Sequence, residues 1–181
     1  MKINKRPAAA GFTFIEVIVV VGIIGIFLVA SFPSILNTME SRDLENNARR
    51  IQTYFQQTKN RAVDTKIIHR VRFTRITDTS PAYWTYDMET FQLNGTWVKT
   101  EGVPRKAIPF KFAVTLDLPA DGADFVVDFS PLGTIINLPV LVGTQYSITL
   151  RSPKLDRPGQ MDLRVLNLFM GGSIQYLKQK S

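Results

Sequence analysis

Residues 11–36 read GFTFIEVIVVVGIIGIFLVASFPSIL, and this stretch decides how the first part of the chain folds. From Val17 to Leu36 it holds twenty consecutive residues without a charge. At about 1.5 Å of rise per residue, such a helix spans ~30 Å, which is about the thickness of a bilayer core. The stretch therefore predicts a membrane-inserted helix near the amino terminus.

The residues before this run form a short basic segment that contains Lys2, Lys5 and Arg6 and no acid. A cleaved secretory signal and a plain signal anchor both begin in this way, although the apolar run is long for a secretory signal and no A-x-A site follows it. Neither explains Glu16, because a charge in a membrane segment is costly without a partner. No cation stands at helical spacing from Glu16, so the partner must come from another chain or from a new amino terminus.

The order of residues around Glu16 resembles a known signal. Gly11-Phe12-Thr13-Phe14-Ile15-Glu16, after a basic leader and before a long apolar helix, is similar to the class III signal of type IV pilins and type II secretion pseudopilins. The resemblance implies that a prepilin peptidase cuts after Gly11 and methylates the new amino-terminal Phe12. It also implies that Glu16 is an assembly residue, which pairs with the amine of a neighbouring subunit.

The same resemblance assigns further roles along the chain. Gly22, Gly25 and Pro33 stand where many pilins have helix-loosening residues. The implied parts are a cleaved leader (1–11), a transmembrane or filament-core helix (12–40) and a periplasmic globular domain (41–181). The chain would then cross the bacterial inner membrane once. This orientation depends on the resemblance, because the two flanks of the apolar run carry equal numbers of Lys and Arg, with Arg42, Arg49 and Arg50 on the distal side.

Helical periodicity continues beyond Pro33, although a proline loosens or kinks a helix. Apolar residues recur at spacings of four, three and four and form one helical face, namely Leu44, Ala48, Ile51 and Phe55. Glu45 and Arg49 make a favourable pair beside that face. We expect one helix from Phe12 to about Val63, roughly 75–80 Å long, whose second half packs its apolar face against a sheet.

From Lys66 onward the period changes to two, which indicates strands. Alternation predicts a strand from Ile108 to Leu116, and Asn94-Gly95 predicts a type I′ hairpin. The other strand candidates are 71–74, 124–129, 146–150, 161–169 and 173–177. One long helix followed by about seven or eight short strands predicts an α+β fold, in which the helix packs against a mainly antiparallel sheet domain.

The second half of the chain also resembles a subgroup of these proteins. The segments that carry this resemblance are Phe129-x-Pro131-x-Gly133, Tyr146-Ser-Ile-Thr-Leu150 and the closing Gly-Gly-Ser-Ile174. They are similar to minor pseudopilin H of type II secretion and to the FimT-type minor pilins. The absence of Cys departs from the major pilins, in which a disulfide closes the C-terminal loop.

Composition excludes most catalytic chemistry. With no Cys and a single His, the chain can form no disulfide, no thiol nucleophile and no intrachain site that needs two imidazoles. His69 is in phase with Val71 and Phe73, which predicts a partly buried strand position. Asp117, Asp121 and Asp124 suggest calcium ligands but fail the EF-hand spacing. We therefore expect no enzymatic activity, no cofactor and no metal.

The basic residues make DNA a possible partner. The net charge of +7 permits an anionic ligand. The candidates for DNA binding are Arg151, Lys154, Arg157, Lys178 and Lys180. A second basic group, with aromatic residues nearby as single strands favour, consists of Arg70, Arg72, Arg75, Tyr83, Trp84 and Tyr86. Residues 76–150 weaken the positive electrostatic potential of the chain, because they hold four basic and eight acidic residues.

Three functions are thus open. The first is a structural minor subunit of a type II secretion pseudopilus or a type IV pilus, with prepilin peptidase, the inner membrane and other pilins or pseudopilins as partners. The second is a minor pilin that captures DNA for natural transformation. The third is a signal-anchored periplasmic domain. A mature chain that starts at an N-methylated Phe12 would exclude the third.

Overall fold

The computed structural model describes residues 12–138, 146–156 and 161–180. The leader segment with Gly11, and Arg157, lie outside the described residues. A single helix, α1, runs from Phe14 to Thr65. This confirms the predicted long helix, which differs by two residues at each end. The chain divides into two compact units, one ending at Thr38 and one beginning at Met39.

Within the first unit, residues 14–38 are helix, with a largely exposed apolar surface. Large side chains along it face outward, such as Ile26 at 72% and Val29 at 77% exposed. Within the described part of the chain, α1 is the one helix that is long and apolar enough to cross a membrane. Such a surface is unfavourable in water, so the segment requires either lipid or other apolar helices around it.

In the second unit, the C-terminal half of α1 supplies the centre of a hydrophobic core. The four apolar residues that the periodicity selected, Leu44, Ala48, Ile51 and Phe55, are all fully or almost fully buried. The Phe55 ring lies 5.9 Å from the Phe73 ring and 6.1 Å from the Phe129 ring, measured between centroids. The helix therefore packs on a sheet as predicted.

Two antiparallel sheets complete this unit. The six-stranded sheet has the order β3-β2-β1-β7-β6, with β4 also paired to β2, and the four-stranded sheet has the order β10-β9-β8-β5. The strands are β1 (His69–Ile76), β2 (Tyr83–Phe91), β3 (Trp97–Lys99), β4 (Lys106–Ala107), β5 (Ala113–Asp117), β6 (Ala120–Asp121), β7 (Asp124–Phe129), β8 (Tyr146–Arg151), β9 (Leu163–Leu168) and β10 (Ile174–Gln179). A 3-10 turn, Pro153–Leu155, lies between β8 and β9.

The predicted strand from Ile108 to Leu116 is confirmed only from Ala113 onward, as part of β5, and is wrong over residues 108–112. Ile108 donates its N–H to the Trp84 carbonyl and thus still belongs beside the first sheet, whereas β5 begins only at Ala113 in the second sheet. Between them, the Phe112 N–H donates to the Pro109 carbonyl in a turn. Ile108 and Phe112 are both buried, so the apolar alternation marks a crossing between two sheets.

The predicted type I′ hairpin is also wrong, although a hairpin does form there. Phe91 pairs with Trp97, so five residues connect β2 to β3. The Gly95 N–H donates to the Gln92 carbonyl, and Gly95 has a φ of +80°. Asn94 is not in the left-handed region that a type I′ turn requires. Its side-chain oxygen instead accepts bonds from the Thr96 amide and hydroxyl, which favours the longer loop.

Candidate functional site

The start of α1 explains why Glu16 stands where it does. The Glu16 amide donates to the carbonyl of Thr13 and to its hydroxyl, at 3.1 and 3.3 Å. Thr13 and Glu16 thus have the spacing of a capping box. A negative charge in the first turn also interacts favourably with the positive end of the helix dipole. No ion pair to Glu16 occurs within the described residues. The Thr13 hydroxyl therefore caps the helix through the Glu16 amide, and the Glu16 side chain itself is exposed.

The helix-loosening residues lie within unbroken helix. The backbone of α1 is helical through Gly22, Gly25 and Pro33. A Cβ placed on either glycine would meet nothing within 4 Å, so no contact within the chain requires glycine there. Any loosening role stays a prediction that concerns lipid or neighbouring helices.

Two of the basic residues predicted to bind DNA, Arg151 and Lys178, lie on opposite faces of the second sheet. Arg151 pairs with Leu163 of β9, and Lys178 pairs with Arg164, the next residue of β9. Adjacent strand positions point to opposite faces of a sheet. Arg151 contacts Asp156 and Asp162 at 2.8 and 3.1 Å.

Lys178 lies on the other face of the sheet and contacts Glu45 of α1 at 2.6 Å. Hydrogen bonds from Lys178 and Arg49 lower the pKa of Glu45. Lys154 lies in the 3-10 turn and Lys180 follows β10, both exposed. Whether these residues bind DNA stays a prediction.

The arginines of β1 are held by carboxylates. Arg70 contacts Glu89 at 2.7 Å and Asp121 at 3.1 Å, and its guanidinium lies 3.8 Å from the centre of the Trp97 ring. Arg72 contacts Glu89, Asp121 and Asp124 at 2.8–3.1 Å. Two of the three aspartates weighed as calcium ligands thus neutralise arginines. No cluster suited to a metal ion occurs within the described residues.

His69 is a satisfied core residue. It is 2% exposed, at the start of β1, as its phase predicted. Thr65 and Thr90 place hydroxyls 2.9 and 3.0 Å from its two ring nitrogens. Burial, and secondarily the charge of Arg61, lower the pKa of His69. A neutral, fully bonded imidazole has a structural role here.

Sequence reasoning missed a set of polar contacts that hold residues 40–43 of α1. Lys111 donates to Glu40 and Asp43 at 3.1 and 2.8 Å, and the Ser152 hydroxyl donates to Glu40 at 2.9 Å. Arg164, which is 1% exposed, donates to the Ser41 hydroxyl at 2.9 Å. The spacing of Glu40 and Asp43 on one helical side was the available signal, but their partners are far away in sequence.

Comparison with known proteins adds two findings. Residues 6–32 match the family model of the prokaryotic N-terminal methylation motif. Two crystal forms of the type IV minor pilin FimU of Pseudomonas aeruginosa strain PAO1 are similar in fold. They have 15% and 14% sequence identity, with TM-scores of 0.50 and 0.46. The matches cover 76% and 74% of this chain and 90% and 91% of FimU. No curated protein matches the chain.

The methylation motif and the fold match both indicate a pilin-like chain. The matched residues contain Gly11, Phe12 and Glu16, and they lead directly into the helix on which the sheets pack. The fold match with a TM-score of 0.50 covers about three quarters of this chain, 76%. The chain therefore has a pilin-like fold, with a prepilin-type methylation motif at its head.

Proposed function

We propose that this chain is a minor subunit of a type IV pilus or of a type II secretion pseudopilus. Prepilin peptidase cuts it after Gly11 and methylates Phe12, and the apolar half of α1 anchors it in the bacterial inner membrane with residues from about 41 onward in the periplasm. It then joins other pilins or pseudopilins through this helix. The observation that carries the proposal is the methylation motif at residues 6–32, joined to a pilin-like fold.

The exposed apolar surface of the first unit supports an anchoring and assembly role. An apolar helix surface of this length is stable in lipid, and it is equally stable against the apolar helices of other subunits. Glu16 supports the same conclusion, because cleavage before Phe12 would create an ammonium next to this carboxylate. Opposite charges attract strongly in a medium of low dielectric constant.

Processing is the test of this proposal. We expect Gly11→Val to block cleavage, because a branched side chain replaces the residue without Cβ at the cut. Electrophoresis of membranes should show only the longer, leader-bearing form. Gly25→Val is the matched control, since a Cβ at Gly25 meets nothing within 4 Å, and it should be processed normally.

The mature amino terminus separates the alternatives. Mass spectrometry should find N-methylated Phe12 in the wild type. Normal maturation of Gly11→Val would contradict the proposal. An uncleaved wild-type chain would indicate a plain signal anchor, and a terminus beyond the apolar run would indicate a secretory signal.

A further inference from the structure

A pocket opens between the two sheets where the chain crosses from one to the other. It encloses about 300 Å³. Tyr83 and Trp84 of β2 and the crossing segment 108–112 line one part, and Ala113 and Val114 of β5 line another. Ile108 and Phe112 are 2% and 4% exposed, so they are packed tightly into the wall. The volume lies at the lower end of the range for ligand pockets, about 300–1,000 Å³.

Among the described residues, the side chains that line the pocket are mostly apolar or aromatic and Arg75 of β1 is the one charged residue, but polar atoms make up more than half of the surface that faces the cavity. Phe110 also lines the pocket and is 67% exposed, which leaves a large aromatic surface in water. The Trp84 ring is braced by Phe125, at 5.8 Å between centroids. A preformed pocket with a rigid aromatic wall is suited to accept one apolar side chain as an anchor.

Arg75 differs from the other arginines of its strand. Arg70 and Arg72 are each bound by two or more carboxylates. Within the described residues, by contrast, no carboxylate pairs with Arg75, which is exposed and lies opposite Trp84 in the strand register. A free guanidinium at an aromatic pocket offers two parallel N–H donors to a carboxylate.

We propose that this pocket binds a protein segment that presents an aromatic or large aliphatic side chain next to a carboxylate. The apolar side chain enters between Trp84 and Phe110, and the carboxylate pairs with Arg75. The setting is the filament subunit proposed above, with the segment belonging to a partner protein.

A nucleic acid fits this site less well. Its affinity comes mainly from several phosphate contacts made together, whereas Arg75 is the only charged residue among the described residues that line the pocket. A single strand also needs a basic track that continues from base to base. The neighbouring arginines, Arg70 and Arg72, are already neutralised by carboxylates. One cation beside one cavity with an aromatic wall matches a pair of adjacent amino-acid side chains.

The two tryptophans provide a direct readout on the full chain in detergent micelles. Trp84 lines the pocket, whereas Trp97 lies in β3 against Arg70 and does not. With ¹⁵N-labelled tryptophan, the indole signal of Trp84 should shift and saturate on titration with acetyl-Asp-Phe-amide, and that of Trp97 should stay in place. Trp84→Phe assigns the two signals.

A cycle of variants tests the ion pair. Acetyl-Asn-Phe-amide should bind the wild type about fivefold more weakly, the size expected for a partly exposed ion pair. Arg75→Gln should weaken acetyl-Asp-Phe-amide by the same factor and should bind the two peptides equally. Arg61→Gln, which changes an exposed arginine of α1 outside the pocket, is the matched control and should behave as the wild type.

Several outcomes would overturn the proposal. The first is that the Trp84 signal does not shift. The second is that the wild type binds acetyl-Asp-Phe-amide no more tightly than acetyl-Asn-Phe-amide or acetyl-Asp-Ala-amide. The third is that it binds a short oligothymidylate more tightly than acetyl-Asp-Phe-amide. None of these depends on cleavage or filament assembly. An empty pocket would therefore leave the processing test unaffected, and failed processing would leave the peptide result unaffected.

Discussion

At the scale of single residues, Glu16 carries the assembly hypothesis. We expect Glu16→Ala to insert and to be cleaved normally, because removing a charge from an apolar segment favours insertion. Assembly should fall, since a neighbour's terminal amine would be buried unpaired at a cost of several kcal/mol. Crosslinking in membranes at equal protein levels measures this. Glu101→Ala, an exposed loop acid, is the control, and undiminished crosslinks for Glu16→Ala would show that Glu16 is not the assembly residue.

Asp128 is a second residue with a measurable role. It pairs with Arg70 in the register of β1 and β7, and its Oδ1 is buried with no hydrogen-bond partner among the described residues. Burial is the main cause that raises the pKa of Asp128 to about 6. The nearby charges act in both directions, because Arg70 and Arg72 lower this pKa whereas Asp121 and Glu89 raise it.

The sign of this shift predicts a pH dependence. The folded state holds the proton more tightly than the unfolded chain, so the stability that Asp128 contributes is present below about pH 4 and is lost as pH rises through about 6. Asp128→Asn should therefore raise the free energy of unfolding by ~1–2 kcal/mol at pH 7.5, after allowance for screening, and change it little at pH 4.

Urea denaturation of Asp128→Asn and of the wild type at both pH values measures this difference. Asp78→Asn, at an exposed site, should show no such difference, and an equal effect of Asp128→Asn at both pH values would refute the assignment.

At the scale of elements, two turns meet through their glycines. Gly133 and Gly172 have φ values of +78° and +72°, and a Cβ on Gly172 would overlap the carbonyl oxygen of Gly133. Lys59 of α1 donates to the Gly172 carbonyl at 3.2 Å, and the Ile135 amide donates to Met170 at 2.9 Å. The close approach of the Gly133 and Gly172 backbones thus holds the turn after β7 against the β9–β10 turn, and Lys59 ties both to α1.

This contact predicts a large difference between adjacent glycines. Gly172→Ala should lower the free energy of unfolding by about 2–4 kcal/mol, because it combines strain at positive φ with a clash against backbone. Gly171→Ala should cost far less, since a Cβ there meets nothing within 4 Å. Thermal unfolding of the two variants decides the matter, and equal losses would contradict the role of the contact.

At the scale of the whole molecule, the core belongs to the second unit. Every buried hydrophobic residue of the described part lies at Leu44 or beyond. A fragment that starts at Met39 should therefore be soluble without detergent and unfold in one cooperative transition. A fragment that starts at Lys59 lacks five buried hydrophobic residues of α1 and should not fold; they are Leu44, Ala48, Ile51, Tyr54 and Phe55. Circular dichroism during denaturation tests both, and a gradual transition of the longer fragment would show that the first 38 residues are needed.

The sequence by itself determined the features that depend on local order. The apolar run, the Gly11–Glu16 motif and the stripe from Leu44 to Phe55 predicted one long helix with a buried C-terminal half, and the structure confirms it. The strand at Asp124–Phe129 was predicted to the residue. Periodicity succeeds here because burial on one side imposes a repeat on the chain itself.

Only the tertiary structure decided which distant residues meet. Alternation from Ile108 to Phe112 could not distinguish a strand from a crossing between sheets, because the sequence does not reveal that Phe110 is exposed whereas Ile108 and Phe112 are buried. The two-residue strands β4 and β6 leave no periodic signal at all. The basic residues Arg151 and Lys178 looked like one group, yet the strand register places them on opposite faces of a sheet, each beside carboxylates. The pocket at Arg75 likewise exists only because two sheets pack together. Pairing across the fold depends on register and packing, which involve residues far apart in the chain, and a local pattern carries no record of them.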